Sequence, residues 1–73
     1  MHVSELQREI GQRLRRAMDA ADIDADELAR LTGIAREQID GWLVGRGVMF
    51  PHEISALCHT LDLMPQKLLG WSD

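Results

Sequence analysis

Arg36, Glu37, Asp40, Gly41 and Val44 stand one, three and four residues apart, so on a helix they share one side, while Ile39, Trp42 and Leu43 share the other. The outward set has the chemistry of recognition rather than of bond making. Arg36 carries a planar fork of donors that fits guanine O6 and N7 in the major groove of duplex DNA. Glu37 or Asp40 can accept from cytosine N4, and Val44 can meet a thymine methyl. Gln38 stands on the flank of this set. Gly41 costs about 1 kcal/mol relative to alanine inside a helix, and its outward place hints at something approaching the backbone closely. The plainer readings stand beside these. Arg36 and Asp40 have i, i+4 spacing and can simply pair with each other, and Glu37 can be an ordinary solvated carboxylate.

Other reactive side chains form no constellation. His52 and His59 lack metal-ligand spacing, and the scattered Ser and Asp residues have no base or orienting partner nearby. No enzyme, metal or cofactor is expected, and no small-molecule ligand is evident. Cys58, the one cysteine, falls on an apolar helical stripe and reads as a buried structural thiol; alone, it cannot form an internal disulfide. Trp42 reads as packing rather than as a platform for bases.

Seventy-three residues allow one small domain and one core. With 45% hydrophobic and 27% charged residues the chain has the balance of a folded domain. No run approaches the ~18 apolar residues that span a bilayer. The N-terminus Met1-His2-Val3-Ser4-Glu5 does not resemble a signal peptide, so a cytoplasmic location is the expectation. A net charge of −4 counts weakly against a polyanionic partner. Its distribution is uneven. Arg8, Arg13, Arg15 and Arg16 crowd the start, whereas Asp19, Asp22, Asp24, Asp26 and Glu27 follow without a cation among them.

The elements that must position these side chains are five helices. Leu6, Ile10, Leu14, Ala17, Met18 and Ala21 recur at steps of three and four, which predicts an amphipathic helix over about Ser4 to Ala21. Asp24 and Glu27 have capping-box spacing, so a second helix starts near Ala25, and Gly33 closes it in a left-handed conformation. A third begins at Ile34 and ends at Gly45, before the Gly45-Arg46-Gly47 loop. Pro51 opens a fourth with Ile54, Leu57, Cys58 and Leu61 as its stripe. Pro65 opens a short fifth, Gln66 to Leu69, stopped by Gly70. No strand pattern interrupts them, so the class is all-α.

This run, from Ile10-Gly11 through Leu28-Ala29, Gly33-Ile34, Ile39, Trp42 and Gly45 to Leu57-Cys58 and Leu61, resembles the Cro and lambda-repressor type helix-turn-helix family, also called the XRE family. The resemblance covers about residues 6 to 69. It implies a five-helix bundle that binds specific double-stranded DNA, usually as a two-fold dimer regulating bacterial or phage transcription. It also implies base readers at Arg36, Glu37 and Gly41 and a phosphate anchor at Arg46, just past the glycine. The N–H groups that open the second and fourth helices are further phosphate candidates, helped at the fourth by His52 when protonated. Relatives often dimerise through their C-terminal end. Here Leu63, Met64, Leu68, Leu69 and Trp71 are the expected interface, setting two recognition helices about 34 Å apart.

Three departures are visible. Ala25 replaces a common glutamine that helps hold a phosphate, and Ala35 replaces a Ser or Thr cap worth roughly 1 kcal/mol. Met18 and Leu43 stand where many relatives carry a buried Arg–Glu pair. Exchanging both partners for apolar side chains is the change that strands no charge, and it places Met18 and Leu43 in contact.

The sequence thus reads as a regulator of prophage or plasmid type, with a recognition helix over about residues 35–44 and few phosphate contacts, hence a shallow salt dependence. The alternative is a protein-interaction module, antitoxin-like, anti-repressor or adaptor, that has lost DNA binding and uses its acidic face or apolar C-terminal end.

Overall fold

Leu14 and Met18 drive the first helix into the core, and the computed structural model, which describes residues 5–70, shows the element they belong to as α1, Glu5–Ala21. The expected start at Ser4 lies outside the described residues. Ile10 and Ala17 flank the buried pair along the same stripe. The helix ends without glycine: Asp22 takes the left-handed conformation itself (φ 57°), and the Ile23 N–H bonds the Met18 carbonyl at 3.0 Å. Aspartate tolerates this region better than most residues.

The second helix, α2 (Ala25–Thr32), is capped as its sequence demands. The Asp24 carboxylate accepts from the Glu27 N–H at 2.8 Å, and Gly33 closes the far end at φ 77°. Only half of the capping box forms, because the Glu27 carboxylate turns to Arg30 at 2.7 Å. Thr32 then ties the turn: its hydroxyl donates to the Leu28 carbonyl at 2.7 Å and accepts from the Ile34 N–H at 3.1 Å.

That turn costs the third helix two residues. α3 spans Arg36–Leu43, not Ile34 onward, because Ala35 is extended (ψ 137°) and supplies no side-chain cap. Val44 falls just past its end, its N–H bonded to the Gly41 carbonyl at 3.2 Å. The fourth helix, α4 (Pro51–Leu61), begins at its proline as expected, and α5 (Pro65–Leu69) ends at Gly70. Among the described residues the structure is all-α.

The core gathers Leu14, Met18, Leu28, Ile39, Trp42, Leu57, Cys58, Leu61 and Leu68, so every helix contributes to one apolar cluster. Burial of this kind is the main force holding so small a domain together. α1 crosses α3 at Gly11, where a Cβ would collide with the Trp42 carbonyl oxygen and lie 3.1 Å from that of Leu43. Glycine at this point lets the two backbones touch, and this close approach fixes how α3 stands on the bundle.

Candidate nucleic-acid interface

α3 is held from behind. Ile39 is fully buried and Trp42 is 3% exposed, α2 braces the helix across the Gly33 turn, and α1 backs it at Gly11. The side left to solvent carries Arg36, Glu37 and Asp40 exposed, Gly41 half-exposed and Val44 60% exposed. The outward set read from the sequence is therefore assembled on one surface. Arg46 adjoins it through the loop, its N–H bonded to the Gly41 carbonyl at 2.7 Å and its own side chain exposed.

Arg36 is not free on this surface. Its Nη1 pairs with Asp26 of α2, and its Nε donates to Asp40 Oδ1 at 3.3 Å one turn along α3. The plainer reading of the i, i+4 pair is what the structure shows, with a second carboxylate added from ten residues away. Both raise the Arg36 pKa above its ordinary value, the hydrogen bond to Asp26 most and that to Asp40 next. All three side chains are about half exposed or more, so water and salt compete with these contacts.

Gln38 is committed elsewhere. Its Nε2 donates to Glu53 Oε2 at 2.6 Å, joining α3 to α4, while Glu53 Oε1 accepts from the Phe50 N–H at 2.8 Å. Glu53 is the one buried charged residue among those described, and these two bonds satisfy its carboxylate. Reading the sequence for caps missed it, although Glu53 stands three residues after Phe50, the return position of a capping box.

The helix openings expected to take phosphates carry the chain's own anions. Asp24 already accepts an N–H at the start of α2, and Glu53 takes one at the start of α4. His52 is exposed in the first turn of α4 and its ring stacks on Phe50, with centroids 6.2 Å apart. Beside the opening of α2 lies a hollow bordered by Arg15, Met18, Asp19, Asp24, Arg36, Asp40 and Leu43. Met18 and Leu43 both line it, Met18 being 5% exposed and Leu43 packed against the core.

Among the described residues Leu63, Met64, Leu68 and Leu69 do not form one apolar patch. Leu68 is fully buried within its own protomer and has no surface to offer a second chain, a correction to its expected place in an interface. It was drawn inward because α5 packs on both α1 and α4. Leu63 is half-buried against the core and Met64 is 54% exposed. Leu69 lines a groove with Leu6, Ile10, Met49 and Ile54 on another side. Trp71 lies outside the described residues. Cys58 is 6% exposed in the core, and burial pushes its thiol pKa up. Among the described residues no group of His, Cys, Asp and Glu is placed to hold a metal ion, and no helix is long and apolar enough to cross a membrane.

Comparison with known proteins places this geometry. The model of the Cro/C1-type helix-turn-helix DNA-binding domain matches residues 13–73. Among solved structures, the chain is similar to the restriction-modification controller protein C.AhdI from Aeromonas hydrophila. The two share 31% identity with a TM-score of 0.80, over 85% of this chain and 94% of that one. Curated protein sequences gave no match.

Proposed function

This chain is a DNA-binding transcriptional regulator of the Cro/C1-type helix-turn-helix family, and from that premise we propose that it reads a specific double-stranded site by laying α3 in the major groove. The observation that carries this reading is the outward face of α3, which the core does not use and which sets Arg36, Glu37, Asp40, Gly41 and Val44 together with Arg46 at its edge. Arg36 is the principal base reader, through guanine O6 and N7. Glu37 accepts from a base, Asp40 stands beside Arg36 on the same face, Val44 supplies apolar contact, and Arg46 holds a phosphate. Gln38 contributes by fixing α3 against α4 through Glu53.

Acidic groups at the α2 and α4 openings leave few phosphate contacts, which favours a shallow salt dependence. In this reading the protein acts in the cytoplasm, without a cofactor, as a regulator of prophage or plasmid type or as a controller like the similar restriction-modification protein. It acts as a homodimer, the exposed Met64 being the part of the expected C-terminal interface that is open to a second copy. Sedimentation showing only monomer at high micromolar concentration would remove the dimer from this account.

Fluorescence anisotropy against the chain's own upstream DNA, at two salt concentrations, tests the function. Specific binding that Arg36→Ala weakens about tenfold or more supports it. Absence of binding even at low salt overturns it in favour of the protein-interaction module, a reading favoured by one observation, the pairing of Arg36 with two carboxylates of its own chain.

A further inference from the structure

We propose that Asp26 and Asp40 act on Arg36 in opposite senses: Asp26 is an internal competitor that DNA must displace, and Asp40 is a positioning residue that stays with the guanidinium and aims it. This rests on the reading of Arg36 as the base reader. The geometry separates the two carboxylates. Asp40 is on α3 itself, one turn from Arg36, and holds Nε. Whatever α3 enters, Asp40 enters with it, so that contact can persist while Nη1 and Nη2 face a base edge. Asp26 belongs to the first turn of α2 and holds Nη1, one of the two nitrogens that an end-on guanine contact requires. The Arg36–Asp26 pair therefore has to open before bidentate recognition can form.

Position adds a second cost. Asp26 is 79% exposed beside the opening of α2, where the N–H groups would otherwise favour an approaching phosphate. Arg15, Asp19 and Asp24 border the hollow that Arg36 and Asp40 line, yet Arg36 forms its bonds only with Asp26 and Asp40 among the charged groups around it. The latch is an exposed pair and therefore weak. It tunes affinity rather than abolishing binding, because its opening is a cost that the contact of Arg36 with guanine has to offset.

Anisotropy titrations of Asp26→Asn and Asp40→Asn on the upstream DNA test the opposition, with Arg36→Ala combined with each. Asp26→Asn is expected to tighten binding roughly two- to fivefold at low salt. Asp40→Asn is expected to weaken it; in the Arg36→Ala background the effect of Asp40→Asn should largely vanish, and that of Asp26→Asn should shrink to the residual repulsion of phosphate at the α2 opening. Equal tightening by both variants, persisting without Arg36, would mean simple relief of repulsion and would overturn the proposal. A readout without DNA separates its failure from that of the functional reading: nitrogen-15 relaxation of the Arg36 guanidinium. Slowed rotation in the wild type that Asp26→Asn releases supports the latch. Rotation equally free in both proteins overturns it, whatever DNA does.

Discussion

The backbone of Gly11 on α1 lies directly against the carbonyl of Trp42 on α3, with no room between them for a side chain. Two opposed tendencies meet there. Alanine is the better helix former by about 1 kcal/mol, but its methyl would run into backbone, which cannot step aside as a flexible side chain can. Overpacking at such a site costs about 1–3 kcal/mol. Gly11→Ala is therefore expected to lower stability in urea denaturation, and also to weaken DNA binding, because α3 must tilt or shift to accept the methyl.

Gly41 is the counter-case. A Cβ there meets only Arg46 Cβ and the Arg46 carbonyl, each at 3.8 Å, which is ordinary contact. Nothing among the described residues requires this glycine. Gly41→Ala should stabilise the free protein by about 0.5–1 kcal/mol while reducing affinity for its DNA site. Stabilisation with unchanged affinity would show that no ligand approaches the backbone at this turn.

Met18 and Leu43 border the same hollow between α1 and α3. Met18→Arg alone should strand a charge where Met18 is 5% exposed, at a cost of about 3 kcal/mol or more. Adding Leu43→Glu should return at least half of that loss, since coupling between contacting residues reaches about 3 kcal/mol. A double variant no more stable than the single one would place the two side chains out of reach of each other.

Cys58 sets a pH dependence. Burial raises its thiol pKa in the folded state, so the native chain keeps a proton that the unfolded chain releases above about pH 8.5. Its contribution is complete below that pH and is lost as pH rises through the folded value. Urea midpoints should fall on the alkaline side, and Cys58→Ala, though less stable throughout from its cavity, should show a flatter alkaline limb.

Most of the scaffold was legible from the residues alone. The Asp24 cap, the Gly33 turn, the proline starts of α4 and α5 and the burial of Ile39, Trp42 and Cys58 follow from spacing and local bonding. The third helix starts two residues later than its spacing predicts, because Thr32 bonds the Ile34 N–H and Ala35 is extended. At the candidate site the membership of the outward face was legible, since it is what remains when the apolar stripe of α3 is subtracted.

The sequence by itself determined the helices, their caps and the side of each that faces the core, because these depend on residues no more than four apart. Only the tertiary structure decided who meets whom across that core. The approach of Gly11 to Trp42, the bond from Gln38 to Glu53 and the inward turn of Leu68 each depend on how separate helices pack. So does the hold of Asp26 on Arg36, a contact across ten positions that no periodicity records. Periodicity assigns a side chain to a face, whereas its partners are set by the crossing of helices, and the state of Arg36 is settled by partners.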